Sequence, residues 1–266
     1  MPELLEVERY RQLAEQGLLG RPIVAVKAED LFYLKGGLAA VDLEILVGCQ
    51  FTAARRTGKR LFLDTELEGD AGPVLGLRFG MTGRLEVAPA PAPGNGHPGC
   101  ASDASAGRYQ RFAVLFADGG CFGVRDPRRL GGVELSPIES RLGYDAATVT
   151  QGQLSSVLSI SRAPLKSRLM DQSKLAGIGN LIADEVLWRA GLCPRRPAST
   201  VTVPETRRLH RRLRQALAEM GERGGSHTGD LMAHRVPGGT CPLDGQPLRR
   251  EKVGGRTTFW CPAHQF

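Results

Sequence analysis

The chain opens Met1-Pro2-Glu3, and a proline in second place is chemically suggestive. The small second residue permits removal of Met1, which leaves Pro2 with a free secondary amine. An α-amino group titrates near roughly 7.7–8.0, against about 10.4 for lysine. A useful fraction is therefore neutral at physiological pH without burial to force it. A neutral secondary amine can attack a sugar C1′ and form an iminium. Glu3, next in the chain, could protonate a leaving group. At the other end stands Cys241-x2-Asp244-x16-Cys261-x2-His264. Two pairs, each with a two-residue gap and about a hairpin apart, have zinc-ribbon spacing. Zinc accepts aspartate oxygen and histidine nitrogen as well as thiolate. The alternative is a metal-free hairpin held by its own core, including Trp260.

Three basic stretches lie between these ends. Arg55-Arg56-Thr57-Gly58-Lys59-Arg60 precedes the apolar run LFLD, and a hairpin there can set cations along phosphates. Asp126-Pro127-Arg128-Arg129-Leu130-Gly131 reads as a tight turn with two cations and one apolar tip. Such a loop can push into a duplex and fill the space left by an everted base. From Leu165 to Pro194 a helix ends near Met170, a Gly-Ile-Gly turn follows, and Asn180 caps the next helix. Glycines let backbone approach a phosphate, helix N-terminal amides bind it, and Lys166 supplies charge.

The elements that must carry these groups can be read from periodicity. Leu4, Val7, Tyr10 and Leu13 predict a helix over residues 3–17. From Ile23 to about Leu135 the chain is a series of short β-type runs separated by Gly, Asp and Pro. That pattern predicts a β-sandwich or barrel-like domain. Ala88–Gly107, rich in Pro, Gly, Ala and Ser, reads as a mobile surface loop. After Pro137 the pattern turns helical over Gln151–Ile160, Pro164–Met170, Asn180–Ala190 and Pro204–Glu222. The tail Thr240–Phe266 is β-type.

Composition narrows the partners. The 266 residues carry a net charge of +7 with a pI near 9.3, which favours polyanions. Thirteen Lys/Arg against six Asp/Glu between Ser161 and Arg223 account for an excess of that size. No run approaches the ~18–20 apolar residues of a membrane helix. The N-terminus lacks the apolar region of a secretory signal, so a cytoplasmic, nucleoid-associated protein is expected. Cys49, Cys100, Cys121 and Cys193 follow no disulfide framework and read as small buried residues.

Taken in order, these stretches resemble the formamidopyrimidine-DNA glycosylase and endonuclease VIII family over nearly the whole chain. MPELLEVE is similar to its N-terminal signature, RRTGK to its β-hairpin lysine motif and RFGMTGRLEV to the strand with its void-filling Met. DPRRLGG resembles its intercalation loop, LKSRLMDQSKLAGIGNLIADEVLWRAG its helix–two-turn–helix, and GGRTTFWCPAHQ the second half of its zinc finger. The resemblance implies an α+β fold in three parts. These are a catalytic β-sandwich domain with an N-terminal helix (1–137), a helix–two-turn–helix domain (138–226) and a zinc-finger-like β-hairpin (227–266). It implies a bifunctional DNA glycosylase/AP lyase of base excision repair that acts as a monomer on damaged double-stranded DNA.

The resemblance also implies roles. Pro2 is the Schiff-base nucleophile, Glu3 its acid/base partner, and Lys59 and Arg256 hold phosphates at the lesion. Met81, Arg128 and Leu130 fill the gap, Lys166 and Asn180 grip flanking phosphates, and Glu6 and Glu185 shape the pocket. One structural Zn2+ is held by Cys241, Asp244, Cys261 and His264. The chain departs from the family pattern at Leu5 (usually Pro), Leu130 (Phe), Ile182 (Tyr), and Asp244 and His264 (Cys). The segment Gly224–Gly239 is shorter than the loop that covers an oxidised purine. Oxidised pyrimidines, ring-opened purines, abasic sites and bulkier adducts stay open as substrates. Rival readings are an AP lyase only, a non-catalytic damaged-DNA binder, and a basic RNA- or ribosome-binding module.

Overall fold

In a computed structural model of the chain, residues 2–90 and 109–266 are described. The expected loop over Ala88–Gly107 falls outside them from residue 91 onward. The chain divides into two compact units: one holds Pro2 and Val7–Glu139, the other Glu3–Glu6 and Ser140–Phe266.

Among the described residues, the first unit contains most of helix α1 (Leu4–Gly17) and nine strands. These are β1 (Ile23–Lys27), β2 (Gln50–Thr57), β3 (Arg60–Leu67), β4 (Asp70–Ala71), β5 (Leu75–Arg78), β6 (Arg84–Ala88), β7 (Gln110–Phe116), β8 (Cys121–Arg125) and β9 (Gly132–Leu135). One sheet runs β1-β7-β8-β6 and the other β2-β3-β5-β9, with β4 added on β3. These strand pairings are antiparallel; short turns join β2 to β3 and β7 to β8, while β1 pairs with β7 and β5 with β9 across long stretches of sequence. Apolar side chains from both sheets meet in one core. Phe51 of the second sheet lies 5.8 Å, centroid to centroid, from Phe122 of the first, and 6.2 Å from Phe116. All three rings are buried, each contributing about 1.5–3 kcal/mol by leaving water. This is the expected sandwich, and it makes a rigid base for the loops at its strand ends.

The second unit is helical, with α2 (Gln151–Ser159), α3 (Leu165–Leu169), α4 (Asn180–Ala190) and α5 (Val203–Glu222). Local signals explain the boundaries. Thr150 and Gln153 form a reciprocal capping box at α2, and at α5 the Glu205 carboxylate accepts both the N–H and the hydroxyl of Thr202. Helix α4 ends where Gly191 turns left-handed at φ 63°. Helix α5 buries Leu209, Leu213, Leu217 and Met220 and leaves Arg207, Arg211 and Arg214 exposed. A parallel pair, β10 (Tyr144–Asp145) with β11 (Leu175–Ala176), ties down the turn before α4. An antiparallel hairpin, β12 (Arg249–Val253) and β13 (Arg256–Trp260), forms the tail. Among the described residues no helix is long and apolar enough to cross a membrane. Cys49 and Cys193 are free, but Cys121 is disulfide-bonded, which corrects the expectation of a lone buried thiol there.

Candidate active site

Pro2 is buried. The residue after it has a fixed place in the helical unit. Glu3 is fully buried, and its carboxylate accepts the backbone N–H groups of Gly179 (2.8 Å), Leu181 (2.8 Å) and Ile182 (3.2 Å). A helix leaves its first N–H groups without internal partners, and Glu3 supplies those partners for α4. Asn180, the expected cap, is instead the first residue of the helix, with Gly179 at the cap position. Gly179 has to lack a side chain, because a Cβ there would lie 2.2 Å from Glu3 Cδ. The negative charge sits at the positive end of the helix dipole. The Asn180 Oδ1 is buried without a hydrogen-bond partner among the described residues.

Glu6 is equally committed. It accepts the Glu3 N–H at 2.8 Å and, through its other oxygen, the Ser226 N–H at 2.7 Å and hydroxyl at 2.9 Å. Glu185 accepts the N–H groups of Asp230 and Leu231 and pairs with Arg189 at 2.6 Å. Both acids therefore fasten the segment after α5. Ile182 is fully buried in the helical core, and Leu5 lies in the first turn of α1.

Lys166 does not reach outward for a phosphate, as the resemblance implies; its charge is engaged inside the protein. It is fully buried, with Nζ 2.6 Å from Asp184 Oδ1 and donating to Thr258 Oγ1 at 2.7 Å. Burial lowers its pKa and Asp184 opposes the shift. Asp184 Oδ2 also accepts from Arg235 at 2.8 Å and from the Phe259 N–H at 3.2 Å. One carboxylate thus joins α3, α4, the segment after α5 and the β12–β13 hairpin. Sequence reasoning missed Asp184 and Arg235. The available signal was an acid beside Glu185 in the otherwise apolar run of α4, more acid than one solvent face needs. Arg256 is exposed at the start of β13, just after the hairpin turn.

In the sandwich unit, Lys59 is half-buried at the β2–β3 turn. The arginines around it are paired. Arg55 grips Asp64 and Glu139, Arg56 reaches Glu8 at 2.9 Å, and Arg60 reaches Glu134 at 3.3 Å. Met81, Arg128 and Leu130 are brought to neighbouring loops. Met81 lies in the turn between β5 and β6, not on a strand, and Leu130 lies between β8 and β9. Buried Asp126 accepts from Thr82 Oγ1, from the Arg128 N–H at 3.2 Å and from the Gly131 N–H at 2.8 Å. The loops pack so closely that a Cβ on Gly80 would lie 2.4 Å from the Leu130 carbonyl carbon. Met81 and Leu130 nevertheless remain 37% and 52% exposed.

The ligand atoms of Cys241, Asp244, Cys261 and His264 all lie within 4.8 Å of one another. His264 Nδ1 is 2.9 Å from Asp244 Oδ2 and 3.7 Å from Cys241 Sγ. Its Nε2 lies 3.3 Å from the Trp188 carbonyl. Without a metal, a proton on Nδ1 joins the ring to Asp244 Oδ2; with one, the proton would sit on Nε2, donating to the carbonyl and freeing the Nδ1 lone pair as a ligand. Trp188 Nε1 donates to Cys241 Sγ at 3.2 Å. Hydrogen bonding from Gln246 and His264 lowers the Asp244 pKa, while burial and Asp244 push the Cys261 thiol up to about 11. Two sulfurs, one nitrogen and one carboxylate suit a four-coordinate metal, so the cluster can hold a metal ion.

An α+β chain with a β-sandwich, a helical unit whose two-turn segment is capped by Glu3, and a Cys/Asp/His hairpin defines a class, and the comparisons agree on it. The formamidopyrimidine-DNA glycosylase N-terminal domain matches residues 1–133, and the formamidopyrimidine-DNA glycosylase H2TH domain matches residues 142–231. The formamidopyrimidine-DNA glycosylase of Thermus thermophilus is 34% identical, with 100% of this chain and 98% of the relative covered. That of Xanthomonas campestris pv. campestris is 32% identical, with both chains covered in full. Among solved structures, the MutM (Fpg) protein of Thermus thermophilus superposes with a TM-score of 0.78 at 31% identity, covering 99% of this chain and 98% of that one. A MutM complex with DNA containing carbocyclic 8-oxo-G gives a TM-score of 0.80 at 25% identity, covering 100% of both.

The chain belongs to the formamidopyrimidine-DNA glycosylase family, the DNA glycosylases of base excision repair. Pro2 and Lys59 belong to the sandwich unit, Arg256 to the helical unit.

Proposed function

We propose that this chain is a bifunctional glycosylase/AP lyase that excises damaged bases from double-stranded DNA, with the amine of Pro2 as nucleophile. The observation that carries the reading is the Pro2-Glu3 start, in which three backbone N–H bonds hold Glu3 in one place. Pro2 is thereby tethered one peptide bond from a fixed carboxylate. With Met1 removed, the Pro2 nitrogen lone pair attacks C1′ of the damaged nucleoside. The C1′–N bond to the base breaks, and a proton delivered by way of Glu3 accompanies the departing base. The nitrogen gives up its proton, and its lone pair then expels O4′ from C1′; the sugar ring opens, O4′ takes a proton, and the resulting iminium acidifies the C2′ proton. Loss of that proton and expulsion of the 3′ phosphate break the strand by β-elimination. A second elimination can remove the 5′ phosphate, and water releases Pro2 from the sugar.

Lys59 and Arg256 hold the phosphates that leave. Met81, Arg128 and Leu130 occupy the space the extruded nucleotide vacates. Lys166, withdrawn into its pair with Asp184, supports the hairpin carrying Arg256. Cys241, Asp244, Cys261 and His264 would hold one zinc ion, which would brace the base of the hairpin and supply no chemistry to bond breaking.

The segment after α5 is short and tied down through Glu6, Asp184 and Glu185. That leaves oxidised pyrimidines, ring-opened purines, abasic sites and bulky adducts ahead of 8-oxoguanine as substrates.

Borohydride reduction during turnover on an abasic duplex should trap a protein–DNA adduct at Pro2. Mass spectrometry of the processed chain without any adduct would reject the mechanism. A duplex lesion panel run alongside separates this reading from an AP lyase, which would release no free base.

A further inference from the structure

Beside the wedge loop stands an aromatic ring that the mechanism does not use. The segment Asp30–Lys35 is pinned at its centre by fully buried Tyr33 and at its end by Lys35, whose N–H donates to the Val133 carbonyl at 2.9 Å. Phe32 points the other way and is 63% exposed. Two cations face its ring: Lys35 Nζ at 4.1 Å and Arg129 Cζ at 5.0 Å from the centroid. Arg129 is held there by its ion pair with Asp30 at 2.5 Å, and its own backbone sits at φ 56°. That left-handed conformation is uncommon for a residue with a side chain. It directs the guanidinium to Phe32 while the next residue, Leu130, projects into solvent.

A single exposed aromatic needs no explanation. An exposed ring faced by two cations, on the same rim as exposed Leu130 and Met81, is a different arrangement. Bases offer a π-face and phosphates a negative charge. Aromatic rings within basic surfaces bind unpaired bases by stacking, and the basic flank fits a polyanion.

We propose that Phe32 is a stacking platform for an unpaired base, the one left in the duplex when its partner is absent or extruded. Arg129 and Lys35 hold the ring and meet the adjoining phosphates. The proposal rests on the DNA-glycosylase reading above and adds to it a recognition contact outside the wedge residues.

The test uses the full chain, with a duplex carrying a tetrahydrofuran abasic analogue opposite 2-aminopurine, and an intact duplex as control. Wild-type protein should bind the abasic duplex more tightly and quench the 2-aminopurine. Phe32→Ala should lose about tenfold in affinity for that duplex and most of the quenching, while intact-duplex binding stays within about twofold. Phe32→Trp should restore both. Thermal melting of the variants checks the fold. Phe32→Ala that quenches and binds like wild type would overturn this proposal alone. So would an equal loss on both duplexes, which would make Phe32 a general duplex contact. Wild-type protein with no preference for the abasic duplex would overturn the parent reading and this one with it.

Discussion

Glu3 Oε2 lies 2.8 Å from the backbone nitrogen of Gly179, so a residue at the start of the chain caps a helix that begins with Asn180. Replacing Glu3 with Ala leaves three buried or half-buried N–H groups without that acceptor. The expected cost is about 2–4 kcal/mol, since orphaned buried donors pay their desolvation in full. Glu3→Gln keeps an acceptor oxygen but loses the charge and turns NH2 toward the donors. It should recover about a third of the loss. Urea unfolding followed by circular dichroism measures both. A Glu3→Ala variant within about 0.5 kcal/mol of wild type would mean that the capping contributes nothing.

The Lys166–Asp184 pair should behave as a buried pair, in which removing one partner is worse than removing both. Asp184→Ala strands a fully buried ammonium and also frees Arg235 and the Phe259 N–H. It should cost about 3–5 kcal/mol. Lys166→Met combined with Asp184→Leu should cost less than the sum of the singles. A double-mutant cycle by denaturant unfolding gives the coupling energy. Strict additivity would show that the two charges do not stabilise each other.

Much of the architecture was legible because periodicity reports burial directly. The alternating runs between Ile23 and Leu135 became the two sheets, and the stripe Leu209, Leu213, Leu217 and Met220 became the buried face of α5. The paired spacing at Cys241, Asp244, Cys261 and His264 likewise became a converging cluster. What stayed hidden depends on contacts between distant residues. Asn180 has the side chain of a helix cap, but Glu3, far away in sequence, fills that role. Lys166 reads as a surface cation until Asp184, Thr258 and Arg235 are seen around it. Phe32 gives no signal at all, because its meaning comes from Arg129, which only the fold brings near.

Glu205 predicts an acid-dependent loss of stability. A two-pronged hydrogen bond from Arg196, at 2.6 and 2.8 Å, outweighs partial burial and lowers its pKa from 4.5 to about 2. A carboxylate with a depressed folded-state pKa stabilises the fold above its unfolded value and loses that contribution as pH falls toward the folded value. Glu205→Gln should therefore be less stable than wild type by about 1 kcal/mol at neutral pH, the worth of a capping interaction. The gap should hold down to about pH 5 and close between there and pH 2. Unfolding free energies of both proteins across that range give the answer. A gap that widens on acidification would reverse the assigned sign.

The hairpin cluster predicts an optical signal for metal binding. Trp188 Nε1 donates to Cys241 Sγ at 3.2 Å, and its carbonyl lies 3.3 Å from His264 Nε2. Bringing a cation onto that sulfur and onto His264 Nδ1 changes the field at the indole. Zinc titrated into chelator-treated protein should therefore shift Trp188 emission and saturate at one equivalent. Trp260 lies in the same hairpin, with its indole N–H donating to Glu251 at 2.6 Å, so Trp260→Phe isolates the Trp188 response. Cys241→Ser should abolish the shift and most of the bound metal, since a hydroxyl is a far poorer ligand than a thiolate. Asp244→Cys should bind zinc more tightly than wild type, because it adds a third soft donor at the same position. Metal content by elemental analysis, measured with the emission titration, decides it. One equivalent of zinc bound equally by wild type and Cys241→Ser would place the metal elsewhere in the chain.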